Sequence, residues 1–157
     1  MNILFLCTGN SCRSILAEAI LNNLAPEGMY AMSAGSHPTG EVHPRSIALL
    51  TQKGIPTAGY YSKSWQDLPS VPDIVITVCD HAAGETCPAY LGKVIRAHWG
   101  VDDPAKATGS EAEICASFEN AYSILRKRIE AFLAIEFGSI NDDATLANQL
   151  TNIGQLQ

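Results

Sequence analysis

Four short apolar runs divide the first two thirds of the chain, and turn-forming residues separate them. Each run has five or six residues, which is typical of a buried strand and too short for a helix. The runs occupy residues 2–6, 29–33, 73–78 and 94–98. The pattern therefore predicts a sheet of four strands.

Segments with apolar residues at helical spacing lie between and after these runs. Proline opens the second segment and glycine follows its end, as at many helix termini. Serine precedes the third segment, which is the longest, and glycine follows it. The predicted helices are residues 14–24, 44–53 and 111–137.

Alternating strands and helices predict an α/β fold with a mostly parallel sheet and helices on both faces. With four strands, the doubly wound order is 2-1-3-4, and ligands bind where the first and third strands lie side by side. Cys7 follows the first strand and Cys79 follows the third. Adjacent strands are ~4.8 Å apart, and bridged cysteines have Cα atoms ~4.4–6.8 Å apart. The topology therefore predicts that these two thiols lie close together.

We expect a single domain that covers residues 1–138. Residues 139–157 are polar and weakly patterned, so we expect a frayed tail with a marginal short helix near 145–150. No internal repeat or linker indicates a second domain.

Composition and net charge limit the classes of protein to which the chain can belong. Hydrophobic residues make up 46% of 157 residues, which fits a globular domain. No apolar run approaches the ~20 residues of a membrane span, and the N-terminus lacks the basic region of a secretory signal. We therefore expect a cytoplasmic protein. A net charge of −6 argues against nucleic-acid binding, so any anionic ligand has to be attracted locally.

The segment CTGNSCRS, residues 7–14, has the features of an oxyanion-binding loop. Gly9 and Asn10 permit the crowded or left-handed backbone that turns N–H groups inward, and a helix N-terminus follows. Arg13 can bind two oxygens of the anion at once. The residues expected to bind the substrate are Thr8, Gly9, Asn10, Ser11, Cys12, Arg13 and Ser14.

Cys7, at the start of this loop, is the predicted nucleophile. A helix N-terminus and a neighbouring arginine lower the pKa of a thiol, so we expect a Cys7 thiolate at neutral pH. A leaving oxygen needs a proton from an acid. Asp103, on the loop after the fourth strand, is the preferred acid because Pro104 stiffens that loop, and Asp102 is its rival.

The five cysteines are an odd number, which argues against a disulfide framework in a cytoplasmic protein. They stand at positions 7, 12, 79, 87 and 115. A phosphatase needs only Cys7, Arg13 and an acid. In a reductase of arsenate, Cys79 would attack Cys7 after the first step, and Cys87 would then attack Cys79. Two unrelated cysteines, or a zinc site of Cys79, His81 and Cys87, are the alternatives.

Three segments, LCTGNSCRS, TVCDHAAGETCP and AHWGVDDPA, together resemble arsenate reductases built on the low-molecular-weight protein tyrosine phosphatase fold. The resemblance covers residues 2–138. It implies that Cys7 is the nucleophile, that Cys79 and Cys87 form a redox relay, that Arg13 binds the oxyanion and that Asp103 is the general acid. It also implies that no cofactor is bound and that electrons come from thioredoxin or, in some relatives, from glutaredoxin and glutathione.

Two departures from the family pattern concern the electron donor and the substrate. Cys79 and Cys87 are one residue further apart than in the thioredoxin-coupled members, which bears on the donor. Ala105 and Lys106 stand where tyrosine phosphatases carry tyrosines after the Asp-Pro pair. This second departure weakens the interpretation as a protein phosphatase.

A third departure concerns a cation. Some members share Asn10, Glu18 and Ser33 with this chain and complete a potassium site with an acidic residue near position 63. Lys63 stands there in this chain. We therefore expect no bound metal ion, and we expect the lysine ammonium to replace the charge of the ion.

The leading hypothesis is a cytoplasmic arsenate reductase that works with thioredoxin or glutaredoxin and binds neither nucleic acid nor membrane. The alternative is a low-molecular-weight phosphatase that acts on phosphotyrosine or small phosphate esters. A thiol-based redox or metal sensor is the non-enzymatic possibility, and it leaves the spacing of Cys7 and Arg13 unexplained.

Overall fold

The structure, a computed structural model, describes residues 1–84 and 94–157. The strands begin and end within one residue of the predicted runs. Helix α4 ends at Leu133, four residues before the predicted end, and a short 3-10 turn follows at Phe137–Ser139. The elements are β1 (Asn2–Leu6), α1 (Arg13–Leu24), β2 (Tyr30–Ala34), α2 (Pro44–Gln52), β3 (Ile74–Thr77), α3 (Asp80–Ala83), β4 (Ile95–His98), α4 (Glu111–Leu133) and α5 (Asp143–Ile153).

The four strands form one parallel sheet in the order β2-β1-β3-β4, which confirms the predicted order. Leu6 pairs with Thr77, and Thr77 pairs with His98. The loops that follow β1, β3 and β4 therefore start side by side at one edge of the sheet. This carboxyl edge is the position predicted for a ligand site.

Side chains of β1 alternate between two apolar cores. Ile3 and Phe5 belong to the larger core, to which α1, α2, α4 and α5 contribute. Leu4 and Leu6 belong to the smaller core, against which Trp65 packs. Among the described residues, the segment that supplies Trp65 and Leu68 covers this second face, and residues 85–93 lie outside the described residues. The segment that supplies the tryptophan contains several prolines and glycines, and these residues disfavour a helix.

Helix α1 places its first residue, Arg13, at the carboxyl edge of the sheet. Residues 14–21 are all buried, because α1 lies between the sheet and α4. A helix that is buried on every side is apolar nearly all round, and the sequence SILAEAIL meets that demand. This packing fixes the N-terminus of α1, where Arg13 is the first helical residue, close to the end of β1.

The C-terminal residues differ from the frayed tail that the sequence predicts. Asp142 accepts a hydrogen bond from the Thr145 N–H at 2.7 Å and caps α5, which is longer than the predicted marginal helix. Leu146 and Leu150 are buried, and Trp99 Nε1 donates to the Leu150 carbonyl at 2.8 Å. The expectation was wrong because the partner of this helix is distant in sequence, and local periodicity does not reveal it.

Candidate active site

The loop between β1 and α1 is held from outside through its carbonyl groups. The carbonyl of Thr8 accepts from the His37 N–H at 3.0 Å, and that of Gly9 accepts from the Thr39 N–H at 3.0 Å. Because these carbonyl groups point outward, N–H groups of the loop face its concave side. The Gly9 N–H, for example, donates to the Cys7 sulfur.

Asn10 fixes the shape of this loop from within. Its φ of 46° lies in the left-handed region, which costs energy for a residue with a side chain. Its buried amide compensates: Nδ2 donates to Ser14 Oγ at 2.8 Å and to Ser33 Oγ at 2.9 Å, and Oδ1 accepts from the Lys63 N–H at 2.9 Å. Asn10 and Ser14 are therefore placed to support the loop from behind.

Arg13 points from the first turn of α1 towards the loop after β4. Its Nη1 donates to the Val101 carbonyl at 2.9 Å, and its Nη2 lies 3.4 Å from Asp103 Oδ2. Its Nε is buried and is the one buried side-chain nitrogen or oxygen without a partner in the part of the chain that the structure describes. An unsatisfied buried donor on a guanidinium is costly unless an anion binds it.

Cys79 lies beside Cys7, as the strand order predicts, and their thiols form a hydrogen bond. Both residues are buried, and both are free thiols. Cys79 Sγ also accepts from the Ala82 N–H at 3.4 Å and lies 3.6 Å from Thr8 Oγ1. Two adjacent thiols at the carboxyl edge can exchange a disulfide bond without a change of fold.

The second sulfur opposes the ionisation predicted for Cys7. The hydrogen bond with Cys79, followed by burial, raises the pKa of the Cys7 thiol, although Arg13 and the Gly9 N–H lower it. The Cys7 thiolate therefore stays a prediction from the sequence. The sequence argument considered the arginine and the helix, and it did not include the second sulfur that lies against the first.

The same hydrogen bond favours ionisation of Cys79. The hydrogen bond from Cys7, together with bonds from the Ala82 N–H and from Thr8, lowers the pKa of Cys79 to about 5. These contacts favour a thiolate at Cys79, with Cys7 as its hydrogen-bond donor. A thiolate at this place is a nucleophile that faces the sulfur of Cys7.

Two residues of the sites considered in the sequence analysis, His81 and Cys87, follow Cys79 in the chain. Cys87 lies outside the described residues, and so does the side chain of His81. The third member of the predicted relay and the zinc alternative therefore remain predictions from the sequence. Cys12 is buried and Cys115 is exposed on α4, and neither lines the cleft described below.

The structure distinguishes the two candidate acids. Asp103 is partly buried, lies against Arg13 and accepts a hydrogen bond from the Ala105 N–H at 3.0 Å through Oδ1. Asp102 is exposed. Both line the same cleft, but the orientation of the Asp103 carboxylate is fixed by two neighbours. This geometry favours Asp103.

His98 holds the residue after Cys79. Its Nε2 donates to Asp80 Oδ1 at 2.8 Å, and Nδ1 lies 2.8 Å from Thr77 Oγ1. A Cβ at Gly100 would lie 2.9 Å from His98 Nε2, so glycine allows this close approach. The three side chains connect the ends of β3, α3 and β4. Motif spacing does not reveal this role of His98, because the sheet brings its partners Thr77 and Asp80 near it.

Lys63 is a buried cation behind the loop, 7% exposed. Its ammonium donates to the Ser33 carbonyl at 2.9 Å and to the Tyr61 carbonyl at 3.2 Å. The Ser33 hydroxyl donates to the buried carboxylate of Glu18. Burial lowers the pKa of Lys63 and raises that of Glu18, and the attraction between the two groups opposes both changes. A tethered ammonium thus lies among the residues expected to surround a cation.

A cleft of about 680 Å³ opens at this edge of the sheet. Arg13 and Lys106 line it together with three carboxylates, those of Asp80, Asp102 and Asp103, so attraction for an anion has to come from Arg13 and the N–H groups of the loop rather than from a net positive charge. The sequence analysis did not propose Lys106 as a site residue. A short turn after Asp103 would bring a residue three positions later to the same cleft, and Lys106 has that position. The lining residues are Thr8, Gly9, Arg13, Cys79, Asp80, Gly100, Val101, Asp102, Asp103 and Lys106.

The sequence profile of the family described as low molecular weight phosphotyrosine protein phosphatase matches residues 2–147. The chain therefore belongs to the low molecular weight phosphotyrosine protein phosphatase family. Within the described residues, no helix is long and apolar enough to cross a membrane.

Known relatives include arsenate reductases. One from Halalkalibacterium halodurans is 40% identical over 131 residues, which are 83% of this chain and 93% of that protein. A solved arsenate reductase in the phosphate-binding state has a TM-score of 0.71 and 26% identity, covering 85% of this chain and 96% of the other. A thioredoxin-dependent arsenate reductase from Corynebacterium glutamicum has a TM-score of 0.56 and 28% identity, covering 82% of this chain and 61% of the other. The predicted resemblance to this family is thus confirmed.

Proposed function

We propose that this protein is an arsenate reductase that converts arsenate to arsenite through a relay of Cys7, Cys79 and Cys87. The observation that carries the proposal is the contact between the Cys7 and Cys79 thiols at the end of an oxyanion-binding loop. A simple phosphatase has no use for a second thiolate beside its nucleophile. The likeness to curated arsenate reductases supports the same reaction.

In the first step arsenate binds between the loop N–H groups and Arg13, whose Nε is available for it. The Cys7 proton passes to an oxygen of the arsenate dianion, and the Cys7 sulfur forms a bond to arsenic. One hydroxyl leaves the arsenic as water after it receives a proton from Asp103. The residues predicted to form the anion-binding loop are Thr8, Gly9, Asn10, Ser11, Cys12, Arg13 and Ser14, of which Thr8, Gly9 and Arg13 line the cleft.

In the second step the Cys79 thiolate attacks the Cys7 sulfur. An S–S bond forms, the S–As bond breaks, and its electron pair stays on arsenic, which is reduced from As(V) to As(III). Arsenite leaves after protonation. The low pKa of Cys79, about 5, means that this nucleophile is already ionised at neutral pH.

In the third step the Cys87 thiolate attacks the Cys79 sulfur, releases Cys7 and leaves a Cys79–Cys87 disulfide. A dithiol donor then reduces that disulfide. Thioredoxin is the first candidate, because a thioredoxin-dependent relative exists, and glutaredoxin with glutathione is the second. Free thiols and such donors belong to a reducing compartment, so we place the reaction in the cytoplasm.

The phosphatase alternative shares the first step only. Among the described residues the cleft is lined by no aromatic side chain that could stack on an aryl phosphate, and Lys106 provides a cation instead. These features favour a small inorganic oxyanion over phosphotyrosine. We expect residual hydrolysis of aryl phosphates, since Cys7, Arg13 and Asp103 suffice for it.

The test compares Cys79→Ser with Cys115→Ser, which changes an exposed cysteine outside the cleft. Arsenate turnover is followed by NADPH loss with thioredoxin and thioredoxin reductase, and again with glutaredoxin and glutathione. Cys79→Ser should lower turnover by ~10³-fold or more, while aryl phosphate hydrolysis is retained or increased, because loss of the neighbouring thiolate lowers the pKa of Cys7. Cys115→Ser should change neither activity. Equal loss of both activities in Cys79→Ser, or loss of neither, would contradict the relay.

A further inference from the structure

Arg128, in the C-terminal third of α4, is a buried cation that the proposed reaction does not use. It is 1% exposed, and burial lowers its pKa. Within residues 1–84 and 94–157 no carboxylate forms an ion pair with it. Instead, Nε donates to the Leu156 carbonyl at 2.9 Å and Nη1 donates to the Gly100 carbonyl at 3.1 Å. Burial of a guanidinium without an opposite charge is expensive, so stability alone is a poor reason for its presence.

The carbonyl that Arg128 holds belongs to the loop that orients Arg13. Gly100 lines the cleft, and the next carbonyl along the chain, that of Val101, accepts from Arg13 Nη1 at 2.9 Å. Asp103 on the same loop lies 3.4 Å from Arg13 Nη2. The two guanidinium groups therefore bind consecutive carbonyls of one short loop.

The second carbonyl that Arg128 binds is that of Leu156, in the C-terminal segment. The segment 150–157 lies directly against the end of β4: Trp99 Nε1 donates to the Leu150 carbonyl, and a Cβ at Gly154 would lie 2.6 Å from the His98 carbonyl. The family match ends at residue 147, so the Leu156 carbonyl comes from a part of the chain that the match does not include.

We propose that Arg128 is a positioning residue for oxyanion binding, which ties the C-terminal segment to the loop 99–103 and so holds Arg13 in the orientation that binds the anion. The inference rests on the proposed function only in taking the cleft as the oxyanion site. It does not require that arsenate is reduced. Without Arg128 the loop keeps its hydrogen bonds to β3 but loses the restraint on Gly100, and Arg13 follows the loop.

The test measures binding of inorganic phosphate, which is not reduced, by calorimetry on the full chain. Arg128→Met keeps the length and apolar stem of the side chain and removes both hydrogen bonds. Arg126→Met is the matched control, since Arg126 lies on the same helix, is exposed and pairs with Glu130. We expect the phosphate Kd of Arg128→Met to rise about tenfold, the effect of one well-placed charged hydrogen bond, and that of Arg126→Met to stay at the wild-type value.

Three further readouts separate positioning from general damage. For arsenate or an aryl phosphate, Arg128→Met should raise KM more than it lowers kcat, and Arg128→Lys should recover part of the affinity. Gly154→Ala leaves Arg128 intact but displaces the C-terminal segment, so it should also weaken phosphate binding. If Arg128→Met does not fold, the phosphate Kd of Gly154→Ala tests the proposal in its place. Wild-type Kd values in folded Arg128→Met or in Gly154→Ala would overturn the proposal, as would a wild-type protein that binds no phosphate. A wild-type protein that binds phosphate without reducing arsenate would overturn the proposed function alone.

Discussion

Cys7 and Cys79 form a hydrogen bond across the ends of two adjacent strands, and its effect on the two thiols orders the proposed chemistry. With the charge on Cys79, the second nucleophile is ionised before the first bond to arsenic forms. Cys7 gains its reactivity when its own proton passes to the bound anion. The protein thereby avoids two adjacent thiolates, whose repulsion in a buried site would be costly.

This charge distribution predicts the pH dependence of thiol reactivity. The pKa of Cys79 is lowered to about 5, so its thiolate is present at neutral pH and is lost as the pH falls through about 5. Alkylation of Cys79, followed by peptide mass spectrometry, should therefore keep its neutral rate down to that region and then decrease. In Cys7→Ala the hydrogen bond to Cys79 is absent, so the pKa of Cys79 should rise and the decrease should begin at a higher pH.

The matched measurement is the alkylation rate of Cys7 in the same wild-type samples. If the negative charge lies on Cys79, Cys79 is modified faster than Cys7 at mildly acidic pH. If Cys7 were modified faster, the charge would lie on Cys7, as the sequence alone predicts from Arg13 and the helix N-terminus.

At the scale of elements, α5 and the loop after β4 form one structural unit. Leu150 is fully buried, and its carbonyl accepts from the indole of Trp99, whose side chain is fully buried as well. The loop that carries Asp103 therefore rests on a helix from the opposite end of the chain. An ordered C-terminus is needed for the position of this loop.

Leu150→Ala tests whether α5 is part of the folded domain. Loss of a buried leucine side chain leaves a cavity and should lower the free energy of unfolding by about 2–5 kcal/mol in urea denaturation. Gln149→Ala changes the exposed neighbour and should stay within about 0.5 kcal/mol of wild type. Similar free energies for the two variants would mean that the helix is frayed after all.

At the scale of the whole molecule, much of the fold follows from local patterns. Strand length, helix spacing and the rule for doubly wound sheets predict the order β2-β1-β3-β4, and that order alone places Cys79 beside Cys7. The loop of Cys7 and Arg13 is recognisable because its residues are contiguous. The family pattern also points to Lys63, whose buried ammonium lies near the Glu18 carboxylate.

The remaining features depend on contacts between distant segments. The docking of α5 requires Trp99, and the orientation of Arg13 requires the Val101 carbonyl. Neither partner is adjacent in sequence, so neither periodicity nor motif spacing reveals them. The contact between Cys7 and Cys79 is predicted from the strand order, but its effect on the pKa of each thiol depends on a hydrogen bond that the topology does not specify.

The most direct test of the relay is to trap its first disulfide. In Cys87→Ser the Cys7–Cys79 bond cannot pass to its next partner, so the reaction should stop after one turnover. One equivalent of arsenate should yield one arsenite per protein, and non-reducing peptide mass spectrometry should find Cys7 joined to Cys79 with the loss of two hydrogen atoms. Arsenite without this disulfide, or unchanged thiols and unchanged arsenate, would contradict the account.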